Sequence, residues 1–172
     1  VVLASVFKVF VALPVYAQFA EGRLDPTQSI ELNPGALTAG PTGVSAFLDP
    51  ARLSLRDLCL TMLSVSDNAA TDILLARVGI EAVNARLAAC GCHASVVEAD
   101  LRTTFDQLAV DIGFADYAQL AAARSGALGP EAMAASQDVA RIDASRPFDA
   151  MRTNRSTPRD LTRLLRAVWK DE

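Results

Sequence analysis

Ser5 and Lys8 place one hydroxyl and one amine inside an otherwise apolar run, ASVFKVF at positions 4–10. In a helix, residues three apart lie one turn apart on the same face, so these side chains can touch. That pairing suits nucleophilic acyl transfer. An uncharged amine takes the proton as the hydroxyl attacks a carbonyl, and a covalent acyl-enzyme divides one hard step into two. The choice of lysine matters, because arginine keeps its proton in proteins whereas a lysine desolvated by apolar neighbours can lose it. With 11 Ser but only two Lys (Lys8 and Lys170) in the chain, a chance Ser-x-x-Lys is expected about 0.13 times. A helix N-terminus at Ser5 would add free N–H groups and a dipole that favours developing negative charge.

A second cluster is Ser66-Asp67-Asn68, which lies between two helical segments and is expected by chance about 0.02 times. Such a triplet also serves as an ordinary helix break and N-cap. Its interest comes from the presence of Ser5 and Lys8 in the same chain.

The elements that must position these groups are mostly helices. Residues 5–21 are apolar on almost every face, which predicts a central helix covered on all sides, kinked at Pro14 and stopped by Gly22. Residues 23–53 are rich in Pro and Gly and read as surface loops, with SIEL at 29–32 the candidate for a short strand. SLRD opens the next helix, with Ser54 as cap and Leu55, Leu58, Cys59, Met62 and Leu63 along one stripe. After the SVSDN break, helices are predicted over 69–78 and 81–89, then over 104–112, 115–124 and 131–140. STPRDL starts the last one, with Thr157 as cap, Pro158 in the first turn, and Leu161, Leu164, Leu165 and Val168 as its core face.

Composition sets outer bounds. At 172 residues the chain is one ordinary domain, able to bury roughly 70% of its unfolded surface. A net charge of -4 without a basic stripe argues against a nucleic-acid partner. Cys90 and Cys92 flank Gly91, too close for an easy bridge, and Cys59 sits in an apolar run, so all three thiols are read as reduced. His93 is the single histidine, which with no acidic pair at ligand spacing gives no zinc site. The opening VVLASVFKVFVALPVYAQ imitates an export signal. Lys8 in its middle would cost a membrane-spanning helix about 2.5 to 3.5 kcal/mol, so stable membrane insertion is not expected.

SVFK followed 61 residues later by SDN resembles the class A serine beta-lactamases and the related penicillin-binding and serine-hydrolase proteins. LRDLCLTMLSVSDNAATDILLARVG is similar to the two helices flanking that family's SDN turn, and STPRDLTRLLRAV to the helix after its omega loop. The resemblance implies an α+β fold of the beta-lactamase/transpeptidase type. Residues 1–172 would be its helical part, a single domain lacking most of the antiparallel sheet, the missing sheet segment belonging to the same protein. It implies Ser5 as the acylated nucleophile and Lys8 as proton acceptor or relay. Ser66 would pass a proton to the leaving nitrogen, Asn68 would hydrogen-bond the substrate's amide side chain, and Asp67 would anchor the turn. It implies no metal and no organic cofactor, a small-molecule substrate (a beta-lactam, peptide-like amide or ester), and a periplasmic or secreted location.

Two departures qualify that reading. The family's Lys-Thr-Gly or Lys-Ser-Gly strand is missing, and with it an oxyanion donor of the kind whose loss costs about a hundred- to a thousand-fold in rate. Where the family's R-L-D-x-x-E-P pattern carries the glutamate that activates water, this chain reads RIDASRP, with Arg146 in place of that glutamate. An arginine cannot act as the base, which leaves Asp143 and Asp149 as weak substitutes. Deacylation is therefore doubtful. The alternatives are a catalytically degenerate member that binds a ligand or partner, and a non-enzymatic helical protein with an N-terminal export signal.

Overall fold

The computed structural model describes residues 1–170. A 3₁₀ turn, Ala4–Phe7, runs directly into α1, Lys8–Ala20, and Gly22 follows with φ +70°. Phe7, Phe10, Val11, Ala12, Pro14 and Val15 form the buried face of this segment. Within residues 1–170 the segment is not covered on all sides as expected: Tyr16 is exposed, Val9, Leu13 and Phe19 are half-buried, and a groove that also takes in Leu63, Arg86 and Val168 runs along Val9, Leu13 and Tyr16. An all-round apolar pattern shows only that a helix has no polar face.

Ser29–Leu32 (β1) pairs antiparallel with Ala51–Ser54 (β2) in the one sheet among the described residues. Ile30 faces Leu53 and Leu32 faces Ala51, and this apolar face packs on the main core. Residues 51–53 were expected to be loop, so β2 is a second correction. Pro50 and the long irregular connection mask the strand, whose pairing is non-local and becomes visible only with its partner.

Helices α2 (Leu55–Ser64), α3 (Asn68–Val78) and α4 (Ile80–Ala89) surround α1. Ser54 caps α2, its Oγ accepting from the Asp57 N–H at 3.2 Å. Leu58, Cys59 and Met62 are buried as expected, whereas Leu63 points outward. The thiols are free; burial pushes that of Cys59 up to about 11, and the Cys92 thiol is raised for the same reason.

A second, smaller core of Ala109, Ile112 and Leu120 ties together α5 (Leu101–Asp111) and α6 (Tyr117–Arg124). The helix expected over 131–140 is two pieces, α7 (Pro130–Ser136) and α8 (Val139–Asp143). Gln137 follows the first, and Asp138 caps the second, accepting from the Arg141 N–H at 3.2 Å. In α9 (Pro158–Lys170) Thr157 caps through the Asp160 N–H and Leu164 is buried, but Leu165 and Val168 are exposed, contrary to the expected core face. The buried Asp160 carboxylate instead docks this helix, accepting from the Ala94 N–H at 2.9 Å and the Ser95 hydroxyl at 3.0 Å. Among the described residues, no helix is long and apolar enough to cross a membrane.

Three extended segments complete the frame. Arg155 bridges Val2 on one side and Val96 on the other, and the Leu3 N–H donates to the Asn154 carbonyl at 3.1 Å. This fixes the 3₁₀ turn against the segment that precedes α9.

Candidate active site

Ser5 lies in the 3₁₀ turn immediately before α1, one turn ahead of Lys8, with its side chain exposed. Ala4 beside it has φ +44°, in the left-handed region that an alanine rarely adopts. The turn is held by its neighbours: Leu3 and Phe7 are buried in the main core on either side of Ser5. A conformation that costs of order 1–3 kcal/mol persists only where the surroundings over-determine it, and such residues gather at functional sites.

Lys8 is only 2% exposed. Its Nζ lies 2.5 Å from the Ser66 carbonyl oxygen, 2.7 Å from Asn68 Oδ1, 2.9 Å from Ser66 Oγ and 3.4 Å from Ser5 Oγ. The Asn68 orientation is fixed by its other end, since Nδ2 donates to the Ala39 carbonyl at 2.9 Å and leaves Oδ1 to face the amine. Two of the four partners can only accept, and two are hydroxyls. An uncharged amine here would give its two N–H groups to the Ser66 carbonyl and Asn68 Oδ1 and keep its lone pair for the hydrogen of one of the two hydroxyls. Burial pulls the Lys8 ammonium below the ordinary lysine range, while the charges of Asp67 and Asp72 oppose that shift without reversing it.

Ser66 presents both its oxygens to Lys8 because its backbone is also left-handed, with φ +60°. Asp67, the next residue, stabilises that bend. It is fully buried (0% exposed) and accepts from the Val44 N–H at 2.7 Å, the Ser45 hydroxyl at 2.9 Å and the Ala70 N–H at 3.2 Å, capping α3 in the process. Ser45 in turn accepts from the Ala69 N–H at 2.9 Å. Gly43 is required on two counts: its φ is +63°, and a Cβ there would collide with the Asp67 carboxylate.

A cavity of about 250 Å³ opens beside Ser5 and Asn68. Its walls include Phe7, Leu101, Phe105, Leu108, Pro147 and Phe148, and among the described residues no carboxylate lines it. Arg146 is turned away, its guanidinium paired with Asp111 at 2.7 Å at the end of α5. That pair holds the Asp111 carboxyl below the usual carboxylate range. Asp143 and Asp149, the two substitutes for a water-activating base, are both absent from the lining, and Asp149 accepts from the Met151 N–H.

Two positioning residues escaped the sequence reading. Asp72 accepts from the Leu101 and Arg102 N–H groups at 2.9 and 3.0 Å and from the Thr38 hydroxyl at 2.7 Å, so it fixes the start of α5. Burial raises its carboxyl above the usual range. Asn154 receives the Glu98 and Ala99 N–H groups and donates back to the Ala99 carbonyl at 3.0 Å, clamping the floor of the cavity. A polar residue within an apolar stretch is the one local sign of Asp72; Asn154 gives none.

A helical scaffold that brings a serine, a lysine and a second serine to one cleft defines a fold of the serine-hydrolase type. Solved structures agree on the fold. A class A beta-lactamase from Bacteroides cellulosilyticus superposes over 98% of this chain and 48% of its own, with TM-score 0.59 and 23% identity. A point mutant of PBP-A, solved as its acyl-enzyme complex with penicillin G, superposes over 81% of this chain and 53% of its own, with TM-score 0.53 and 16% identity. The model of the beta-lactamase enzyme family matches residues 1–172, and the chain belongs to that family, with its α+β beta-lactamase/transpeptidase fold represented here mainly by helices. A curated relative, the beta-lactamase regulatory protein BlaB of Streptomyces cacaoi, is 32% identical over 167 residues, which is 96% of this chain and 51% of the relative. The chain thus spans about half the length of the relatives it matches.

Proposed function

We propose that the whole protein is a serine acyl-transfer enzyme that forms a covalent acyl-enzyme with a beta-lactam, peptide-like amide or ester and releases it slowly. The observation that carries this reading is the buried Lys8 amine set among Ser5, Ser66 and Asn68. In it, Ser5 Oγ attacks the substrate carbonyl and gives its proton to Lys8, a bond forming to carbon as the π pair moves to oxygen. Collapse of the tetrahedral intermediate expels the amide nitrogen, which takes a proton relayed from Lys8 through Ser66. Asn68 orients the substrate through its amide. A PBP-A neighbour has been solved as an acyl-enzyme with penicillin G, which makes that compound the natural first probe. The slow release in this reading is supported by a cavity whose lining, among the described residues, holds no carboxylate to activate water. A location outside the cytoplasm, periplasmic or secreted, accords with such substrates.

The test is intact-mass analysis of the full-length protein after exposure to penicillin G. A long-lived adduct on Ser5 is expected, lost entirely in Ser5→Ala. Rapid hydrolysis without an adduct, or labelling that survives Ser5→Ala, defeats the reading. A second reading, a ligand-binding member that signals without efficient chemistry, is favoured by the regulatory relative from Streptomyces cacaoi. Saturable binding of penicillin G with no mass shift would establish it in place of the first.

A further inference from the structure

Phe105 belongs to two cavities at once. On one side is the chamber of about 250 Å³ beside Ser5; on the other lies a second of about 420 Å³, lined by Thr38, Arg102, Asp106, Asp116 and Tyr117 among others. The Phe105 ring stacks on Tyr117, with centroids 4.9 Å apart and planes inclined by 27°. It is held from behind, because Asp72 and the Asp100 cap fix the first turn of α5, and the Tyr117 N–H donates to Asp106 at 2.9 Å. The two chambers differ in kind. Among the described residues the near one has no charged residue in its lining, whereas the far one carries Arg102, Asp106 and Asp116.

We propose that Phe105 is a specificity-determining partition, which limits the acyl side chain reaching Ser5 to a neutral group about the size of one aromatic ring. This rests on the Ser5 acyl-transfer reading. A dry apolar cavity of about 150 Å³ is enough to hold benzene, so the near chamber accommodates a ring and its linker. A second ring directed toward α5 meets Phe105, and displacing a packed side chain there carries a cost. Removing the Phe105 ring joins the chambers and gives the second ring somewhere to go.

The experiment compares three probes on the full-length protein: the bare 6-aminopenicillanic nucleus, its phenylacetyl derivative and its biphenylylacetyl derivative. The quantity read is the second-order rate of adduct formation. The native protein is expected to favour phenylacetyl over the bare nucleus by about 10- to 100-fold, from apolar area buried, and to discriminate against the biphenylyl probe. Phe105→Ala should reverse the order of the two aryl probes, shifting their ratio by at least about tenfold. An unchanged ratio in Phe105→Ala, with both rates intact or both reduced alike, overturns the partition. Should Phe105→Ala fail to fold, Phe105→Leu is read in the same way. If no probe acylates Ser5, equilibrium binding of the same three compounds decides: reversal by the variant upholds the partition while the acyl-transfer reading fails, and no reversal overturns the partition itself.

Discussion

On one side of Ser5, Lys8, Ser66 and Asn68 meet at 2.5–2.9 Å around a bend anchored by Asp67; on the other, Phe105, Leu108, Pro147 and Phe148 offer only carbon. The polar side is over-determined, since each group has a partner and the bend survives an unfavourable φ at Ser66. The apolar side is bounded mostly by carbon, with Thr104, Thr153 and Asn154 the polar residues beside it. In the proposed cycle acylation draws its base and its nucleophile from the first side; among the described residues the second side carries no carboxylate that could serve as a second base. On that proposal the two walls of the cleft bear on different halves of the cycle.

The largest effect is expected from removing the proposed base. Lys8→Met keeps much of the side-chain volume and loses the amine, and should slow adduct formation on Ser5 by about 10²- to 10⁴-fold. Lys8→Arg should do no better, because a guanidinium does not give up its proton. If Lys8→Arg retained the native rate, the amine would not be the base.

Asp67 tests whether the polar side is as rigid as its hydrogen bonds indicate. Asp67→Ala leaves the Val44 and Ala70 N–H groups and the Ser45 hydroxyl without their acceptor, and should destabilise the full-length protein by about 3 kcal/mol in urea unfolding. Gly43→Ala should also destabilise, through the same carboxylate and the positive φ.

Lys8 also links the site to pH. Its pKa in the folded protein lies below the ordinary value of 10.5, so between those two values the unfolded chain holds more protons than the folded one. Stability must then rise with pH across that window, by up to about 1.4 kcal/mol per pH unit, and the cost of the buried charge is present in full below it. Subtracting the Lys8→Met profile from the native one isolates this contribution. The adduct-forming rate should climb through the same lowered pKa, and a climb centred at the ordinary lysine value would contradict it.

Much of the polar side was legible in sequence because it is local. Ser5 and Lys8 are one turn apart, and Asp67 caps the helix it precedes; both facts follow from spacing and residue type. What holds the bend from outside was not legible, since Val44, Ser45 and Gly43 lie more than twenty positions away and carry no mark of their purpose. The same holds for the fold. Segments 104–112 and 115–124 read as helices from composition, but the stacking of Phe105 on Tyr117 required the two to be seen together. Strand β2 was hidden for that reason too. Leu165 and Val168 show the opposite failure, an apolar stripe whose burial depends on neighbours that periodicity cannot reveal.

The smallest expected effect probes the apolar side, by giving it the group it lacks. Phe148 lines the Ser5 chamber yet is half open to solvent, so Phe148→Glu can be tolerated without burying a charge outright. A carboxylate there can accept a proton from water near the acyl carbonyl. Because it is not held by other groups, its gain should fall well short of a positioned base, about three- to tenfold in the rate at which the Ser5 adduct disappears. Formation of the adduct, which depends on Lys8, should change much less. Time-resolved intact mass separates the two rates. If release quickens while formation does not, the two walls serve separate steps; if both change together, the division of labour between them is wrong, and the apolar wall acts on the nucleophile itself.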